Sequence, residues 1–271
     1  MTATLEEVKR YWQEQPLFSL ERADVGSEEF FRKLEQVRRE EVERFALRFW
    51  GFDAFPGKGL LDVGCGPGWM TVNYALGGSQ VHAVDLTPRA VELTRQYAAA
   101  RGVEAEVREA NVESLPFADG TFDVVVASGV LHHTPHVLQG IRECCRVLRA
   151  GGCAKISLYR KGILLRPRFF NLTQALLRVI SVHRPGSDLG RAKDVDDFIR
   201  QYDGAGNPLG IGKTTQAWRA LLLEAGFTVR GAEVHYFPKR FLPVGHLIPR
   251  PVHWMLDRFM GAMVYFDLTK G

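Results

Sequence analysis

A glycine-rich loop that follows an acidic residue is the clearest chemical pattern in the sequence. The loop separates a predicted strand from a predicted helix and reads Asp62-Val63-Gly64-Cys65-Gly66-Pro67-Gly68. Ligands bind at this position in open α/β sheets, and glycine lets the backbone approach them closely. Trp69 stands where a dinucleotide-binding GxGxxG loop has its third glycine, so the GxGxG spacing disfavours a pyrophosphate ligand. Asp62 can instead organise a cation. The alternative is that the glycines only form a tight turn.

A second acidic residue ends the next predicted strand, which reads QVHAVD. In this architecture an acid at the position of Asp85 can accept hydrogen bonds from both hydroxyls of a ribose. The pattern therefore favours an adenosine-containing ligand. The alternative is a local role, in which Asp85 caps Thr87.

Three histidines follow the fourth predicted strand in the run Leu131-His132-His133-Thr134-Pro135-His136. His132 or His133 could take a proton from a hydroxyl or thiol acceptor. The HHxxH spacing also suggests a metal site, but no carboxylate or cysteine partner stands nearby in the sequence. The structural alternative, which we favour, is that these rings pack or cap beside a cofactor pocket.

A loop further along the chain mixes a phenol, an acid and an amide among turn residues and spans 201–210. Loops on a rigid sheet often contact the substrate, so Tyr202 and Asp203 could bind or deprotonate an acceptor. The alternative is an ordinary loop in which Asp203 and Asn207 form local turns.

The elements that must position these residues alternate between strands and helices. The spacing predicts strands over 60–64, 80–85, 104–109, 122–128 and 153–159, and helices over 69–76, 87–101 and 134–149. Thr87-Pro88 and Thr134-Pro135 each place a capping hydroxyl before a proline suited to the first helical position. Because the strands are mostly apolar, the alternation implies a parallel sheet covered on both faces.

The flanking regions follow other patterns. Residues 27–50 have the apolar spacing of one amphipathic helix, and residues 160–213 are irregular and partly helical. A helix over 215–225 and strands over 228–236 and 263–268 complete the sheet. We therefore divide the chain into a helical N-terminal cap or lid (1–56), a core (57–159), an inserted acceptor-side cap (160–213) and the end of the core sheet (214–271).

Composition excludes several classes of protein. The chain has 271 residues, 46% of them hydrophobic, and a net charge of +4, so it is neither disordered nor strongly basic like a nucleic-acid binder. Four cysteines exclude a disulfide scaffold, and their spacing fits no zinc site. No secretion signal and no transmembrane run is evident, so we expect a cytoplasmic protein.

The inserted segment 160–213 is basic and interleaved with apolar side chains. Its cations are Arg160, Lys161, Arg166, Arg168, Arg178, Arg184, Arg191 and Lys193. It could attract an anionic substrate, or touch an acidic membrane surface through residues such as Ile163, Leu176 and Leu177. The alternative, which we favour, is a basic amphipathic lid that packs on the sheet.

Four motifs in order resemble those of the class I S-adenosylmethionine-dependent methyltransferases. They read LLDVGCGPGW, HAVD, ANVESLPFADGTFDVVVASGVLHH and VLRAGG. The closest resemblance is to the small-molecule group related to ubiquinone/menaquinone methyltransferases, and it covers residues 58–159 well and 215–236 loosely. It implies an α/β, Rossmann-like sheet of seven mostly parallel strands with helices on both faces and an antiparallel last strand.

The resemblance also implies a cofactor, S-adenosyl-L-methionine, with S-adenosyl-L-homocysteine as product, and a set of residues that bind it. The methionine part is expected at Asp62, Gly64, Cys65, Gly66 and Gly68, and the ribose at Asp85. The remaining expected contacts are Leu86 on adenine, Asn111 (often Asp in the family) with Val112 near the adenine amino group, Ser128 with Val130 beside the cofactor, and Tyr11 in a lid over the carboxylate. Tyr11 and Trp12 are alternatively the apolar face of the first helix.

The sequence thus predicts a methyltransferase of a small organic molecule, with His132, His133 and Tyr202 as candidate catalytic residues. It predicts no metal and no nucleic-acid partner. A lipid-like or macromolecular acceptor is one alternative, and a cofactor-binding module without turnover is another. Peripheral membrane contact, the acceptor atom and the oligomeric state remain open.

Overall fold

Seven strands form one sheet in the computed structural model, which describes residues 3–16, 24–180, 191–204, 206–237 and 247–271. They are β1 (Gly59–Val63), β2 (Gln80–Asp85), β3 (Glu106–Glu109), β4 (Phe122–Ser128), β5 (Leu148–Tyr159), β6 (Phe227–His235) and β7 (Met263–Lys270). Their order is β3-β2-β1-β4-β5-β7-β6. Strands β1 to β5 pair in parallel, and β7 runs antiparallel to both of its neighbours. The predicted fold, including the antiparallel last strand, is confirmed.

Helices cover both faces of this sheet. They are α1 (Leu5–Glu14), α2 (Glu28–Val37), α3 (Ala46–Trp50), α4 (Trp69–Leu76), α5 (Pro88–Ala100), α6 (Val137–Val147), α7 (Pro167–Ile180), α8 (Val195–Arg200), α9 (Thr215–Glu224) and α10 (Arg250–Met260). None of these helices of the described residues is long and apolar enough to cross a membrane.

Two separate hydrophobic cores pack against the two faces of the sheet, and the central strands are apolar on both faces. On one face α2 to α5, α7 and α8 pack against residues such as Val126 and Tyr159. On the other face α6 and α9 pack against residues such as Leu61, Val125 and Phe266. A parallel sheet buried in this way leaves ligand access mainly at its strand ends.

The predicted single helix over 27–50 is wrong, because the chain leaves the helical conformation at Glu43. Helix α2 is followed by a π-helical turn (Arg38–Val42), and α3 begins only at Ala46. The buried carboxylate of Glu43 accepts a hydrogen bond from the indole Nε1 of Trp50 at 2.9 Å. This tertiary contact overrides the apolar periodicity and places the π-helical turn over the strand ends.

The start of α6 also differs from the prediction. Thr134-Pro135 does not cap it, since the Thr134 hydroxyl donates to the carbonyl of Leu131 and the helix begins at Val137. A short 3₁₀ turn (Leu131–His133) occupies the space between β4 and this helix. Helix α10 lies in a tail for which no helix was expected.

The segment after β5 is partly helical, as expected. It contains a 3₁₀ turn (Ile163–Leu165), α7 and α8. Arg184, the side chains of Leu176 and Leu177, and the start of the tail at Phe241 lie outside the described residues.

Candidate functional site

A cleft of about 230 Å³ opens at the carboxyl ends of β1, β2, β4 and β5. The glycine loop and the end of β2 line one end of it, and the insertion and the end of β5 line the other. Helix α1 covers it through side chains that include Val8 and Trp12. Fold topology alone brings these distant segments together, since parallel strands end at the same sheet edge.

The three glycines of the loop, Gly64, Gly66 and Gly68, all have positive φ but differ in what surrounds them. A Cβ at Gly64 would overlap Val130, and one at Gly68 would lie 2.9 Å from the Cα of Thr94, so both positions require close packing. Gly66 lines the cleft with φ +52°, and a Cβ there would meet no protein atom within 4 Å. Only Gly66 therefore leaves a space that a ligand can fill.

Asp62 is buried beneath this loop with one carboxylate oxygen unpaired. The Thr71 hydroxyl donates to Oδ2 at 2.6 Å, whereas Oδ1 has no hydrogen-bond partner among the described residues. Burial raises the pKa of Asp62 from 3.8 to about 6, and the negative charge of Asp85 adds to the rise. An unpaired buried carboxylate oxygen is suited to a cationic ligand group, because an ammonium would supply the missing donor.

Asp85 ties the glycine loop to the end of β2. Its Oδ2 accepts from the backbone N–H of Gly66 at 3.0 Å, and Oδ1 accepts from the N–H and hydroxyl of Thr87. Burial raises the pKa of Asp85. The carboxylate lines the cleft, so the predicted local contact to Thr87 exists beside lone pairs that a ribose can use.

Most of the other predicted cofactor residues also line the cleft: Leu86, Asn111, Val112, Ser128 and Val130. Three residues that were predicted to bind the methionine part do not line the cleft: Asp62, Cys65 and Gly68. The side chain of Cys65 packs with Ala83, Val91 and Val107. The Thr94 hydroxyl lies 3.3 Å from its sulfur, and burial raises the pKa of the thiol well above its usual range. Cys65 can serve a ligand only through its backbone.

Arg38 is the functional candidate that sequence reasoning missed. It is the one lysine or arginine among the described residues that line the cleft. Its guanidinium donates to the Ser128 hydroxyl at 3.1 Å, lies 4.5 Å from the ring centroid of Trp69 and is 3.6 Å from Glu43. Its Nε and the Trp69 indole nitrogen have no hydrogen-bond partner among the described residues. A cation one turn after Leu34, on the apolar face of α2, was the available signal.

The opposite end of the cleft joins the two segments that sequence analysis had flagged separately. The Tyr159 hydroxyl donates to Asp203 Oδ2, and His133 Nε2 lies 3.2 Å from the same oxygen. His133 Nδ1 faces the carbonyl oxygen of Leu209, which can only accept, so this nitrogen carries a proton. His133, Tyr159 and Asp203 all line the cleft.

The remaining candidate catalytic residues occupy different positions. His132 is fully buried outside the cleft lining, its ring 3.8 Å from that of Tyr159, and burial lowers its pKa well below 6.5. Neither ring nitrogen of His132 has a hydrogen-bond partner among the described residues. Tyr202 does line the cleft, and burial raises the pKa of its phenol. The geometry therefore favours His133 and Tyr202 over His132 for contact with a substrate.

The first helix closes over this end through its aromatic pair. Tyr11 donates from its hydroxyl to the backbone carbonyl of Asp203 at 2.9 Å and does not line the cleft. Trp12 does line it, with its ring edge-on to His133 at 5.1 Å. From α1, Trp12 and not Tyr11 therefore lines the cleft, while the hydroxyl of Tyr11 links α1 to the insertion.

No group of three or more His, Cys, Asp or Glu side chains within the described ranges is arranged to hold a metal ion. His136, the third histidine of the HHxxH run, instead pairs with Glu113 at 2.8 Å.

In sequence, the similarity to known proteins lies mainly in the part of the chain that contains the glycine loop. The sequence family described as "Methyltransferase domain" matches residues 61–156. "Ubiquinone biosynthesis O-methyltransferase" of Xanthomonas campestris pv. campestris (strain B100) is 38% identical over 105 residues, 38% of this chain. The aligned part is 44% of that relative, so the chain spans less than half the length of the curated protein it matches.

Solved structures agree on the fold. An S-adenosylmethionine-dependent methyltransferase from Mesorhizobium loti superposes with a TM-score of 0.57 and 18% identity, covering 84% of this chain and 97% of the other. The [4+2]-cyclase SpnF superposes with a TM-score of 0.58 and 17% identity, covering 100% of this chain and 97% of the other. Residues 61–156 are therefore similar to a methyltransferase domain, and the solved structures share the fold of the whole chain.

The buried charge of Asp62 predicts a pH-dependent stability. Because its pKa is higher in the folded than in the unfolded state, the folded protein loses stability as the pH rises through about 6. We expect Asp62→Asn to increase the free energy of unfolding by about 2 kcal/mol at pH 8, and the gain to vanish toward pH 4. Urea unfolding at several pH values measures this. The exposed Asp119→Asn is the control, and a gain that grows on acidification would contradict the assignment.

The space beside Gly66 predicts a loss of binding without loss of the fold. In Gly66→Ala the new methyl group points into the ligand space, so we expect the affinity for S-adenosylhomocysteine to fall by about tenfold or more. The left-handed backbone costs about 1–2 kcal/mol of stability. Gly120→Ala is the matched control, because Gly120 has a similar φ of +66° in a turn outside the cleft lining. Calorimetric titration that finds equal affinity in both variants would remove Gly66 from the site.

Proposed function

We propose that this protein transfers the methyl group of S-adenosylmethionine to a hydroxyl of a small, mainly apolar acceptor. The observation that carries the proposal is one continuous cleft that runs from the glycine loop to the Asp203 carboxylate. The first end suits the cofactor, and the second suits an acceptor that must lose a proton.

The polar groups at the cofactor end complement a zwitterionic amino acid attached to a nucleoside. Arg38 lines the cleft and offers the positive charge for a carboxylate. Asp62 lies buried beneath the glycine loop, outside the cleft lining, and its unpaired Oδ1 is our candidate acceptor for an ammonium. Asp85 offers the acceptor for ribose hydroxyls, as the sequence predicts. Leu86 and Val112 provide apolar surface for a purine, and Asn111 provides both donors and an acceptor.

S-adenosylmethionine, when bound, supplies a methyl group that is activated by its sulfonium. The chain contributes orientation, exclusion of water and the removal of a proton from the acceptor hydroxyl. Asp203 is our candidate for the proton acceptor. Its Oδ2 is engaged by Tyr159 and His133, while its Oδ1 makes no hydrogen bond with any other described residue. With the cofactor bound, the proton of the acceptor hydroxyl would pass to this carboxylate while the oxygen takes the methyl group, and the methyl–sulfur bond would break to leave S-adenosylhomocysteine.

His133 and Tyr159 act in this proposal as positioning residues. With Nδ1 donating to Leu209, the other ring nitrogen, Nε2, lies 3.2 Å from Asp203 Oδ2. Both ring nitrogens of His133 therefore face protein oxygens, and for this reason we assign the base to Asp203 instead of His133. This departs from the sequence prediction, which named the histidines first.

The acceptor end is apolar and aromatic. Its walls include Trp12, Val42, Tyr202, Tyr236 and Met263. Such walls favour a flat or chain-like organic molecule over a macromolecule. The name of the Xanthomonas relatives supports oxygen as the acceptor atom, although the matched residues end before Tyr159 in the family comparison. The same walls fit a lipid-like acceptor such as a prenylated ring, which is the second candidate.

Transfer of an isotope-labelled methyl group tests the proposal. Purified protein is incubated with labelled S-adenosylmethionine and a cell extract that is then separated into aqueous, lipid and macromolecular fractions. We expect label on the oxygen of one small molecule, and label in the lipid fraction would favour the second candidate. Absence of label despite measured cofactor binding would overturn methyl transfer in favour of a binding module, a real alternative since the same fold occurs in a [4+2]-cyclase.

Removal of the proposed base has a specific expected signature. Asp203→Asn keeps the shape of the side chain but removes the charge, so we expect kcat to fall by about 100-fold or more while S-adenosylhomocysteine affinity is retained. The matched control is Asp196→Asn in the same insertion, whose exposed carboxylate pairs with Lys161. Normal turnover by Asp203→Asn with the identified acceptor would remove Asp203 from the catalytic residues.

A further inference from the structure

The outer face of α10 exposes large apolar side chains. Trp254 and Phe259 are each 66% exposed, Met255 is 48% exposed and Val252 is 42% exposed. The inner face is held to the sheet by Asp257, which accepts from His235 and from the backbone N–H of Phe237. The helix is thus firmly seated with its most hydrophobic side chains turned to solvent, which is unusual for a surface helix.

The 3₁₀ turn after β5 extends this exposed surface. Arg160 donates from Nη1 to the carbonyls of Phe259 and Gly261 at the end of α10. The turn begins three residues after Arg160 and exposes Ile163 (46%) and Leu164 (37%). We define the apolar face as Ile163, Leu164, Val252, Trp254, Met255 and Phe259.

Positive charges surround the apolar face. Arg166 and Arg168 are exposed beside the 3₁₀ turn, and Arg250 and Arg258 are exposed on α10. Burial lowers the pKa of Arg160, and the charge of Arg166 lowers it further. Residues 160–168 contain no acid, and the one acid of α10, Asp257, is committed to the inner face. Arg258 lies 3.7 Å from Glu233, so the charge of the surface depends mainly on Arg166, Arg168 and Arg250.

We propose that the apolar face is a docking surface for a bilayer that contains anionic lipids. Apolar and aromatic side chains surrounded by arginines match the interface of such a bilayer, where rings enter the headgroup region and cations meet phosphates. A second copy of the chain fits less well, because a symmetric contact would place the arginines of both copies against each other.

Helix α10 is linked through its inner face to the acceptor end of the cleft. Tyr236, which lines the cleft, directly precedes Phe237, whose N–H is bound by Asp257 of α10. The backbone carbonyl of Tyr236 also accepts from Ala262, just after α10. The apolar face lies on the opposite side of this helix, so a docked bilayer leaves the cleft lining uncovered. The proposal goes beyond the proposed function and does not rest on it, since docking needs no methyl transfer.

Vesicle sedimentation tests the proposal with the full chain. Vesicles of phosphatidylcholine alone are compared with vesicles that contain roughly 30% phosphatidylglycerol. We expect the protein to bind the anionic vesicles and not the neutral ones. In the double variant Trp254→Ala/Phe259→Ala we expect the partition coefficient to fall by about tenfold, and in Arg166→Glu by about fivefold. Leu223→Ala on α9, where Leu223 is 51% exposed, is the control and binds normally.

Two results would overturn the docking surface. In one, the unaltered protein does not bind the anionic vesicles, and in the other, the double variant binds them as well as the unaltered protein does. A dimer in light scattering that the double variant dissociates would assign the apolar face to self-association. S-adenosylhomocysteine affinity is measured on every variant and is expected to stay unchanged, so that failure of docking and failure of the cofactor site are distinguished.

Discussion

Two buried carboxylates at neighbouring strand ends set the main constraint on this molecule. Asp62 and Asp85 are both buried at the glycine loop, and burial raises the pKa of each carboxyl, while the charge of Asp85 adds to the rise at Asp62. Fixed donors from Thr71, Thr87 and the Gly66 backbone offset part of that cost. Oδ1 of Asp62 still has no hydrogen-bond partner among the described residues, and a cationic group could supply one. Sites that bind charged ligands commonly store such costs, because the ligand then supplies the missing partner.

The acceptor end depends on contacts that converge on one residue of the insertion. Asp203 accepts from Tyr159 through its side chain and from Tyr11 through its backbone, and it lies beside His133. It thereby joins the first helix, the end of β5, the loop after β4 and the insertion. The same contacts that hold the proposed base also link α1 to the insertion.

The sequence by itself determined the core of the fold and the cofactor class. Strands β1, β2 and β4, helices α4 and α5 and the glycine loop follow from apolar runs, capping residues and glycine spacing, which are local signals. The motif order resembled one family, and the matched residues 61–156 agree with it. These features were predictable because each depends on neighbours within a few residues, and because parallel strands buried on both faces have a distinctive composition.

Only the tertiary structure decided how the irregular segments serve the site. Apolar spacing could not reveal that Glu43 breaks a helix by bonding Trp50, nor that Arg38 then reaches the strand ends. The sequence also could not rank His132 against His133, because one residue of separation turns one ring into the core and the other into the cleft. Such contacts depend on how the whole chain packs, and no local pattern encodes which partner a side chain will meet.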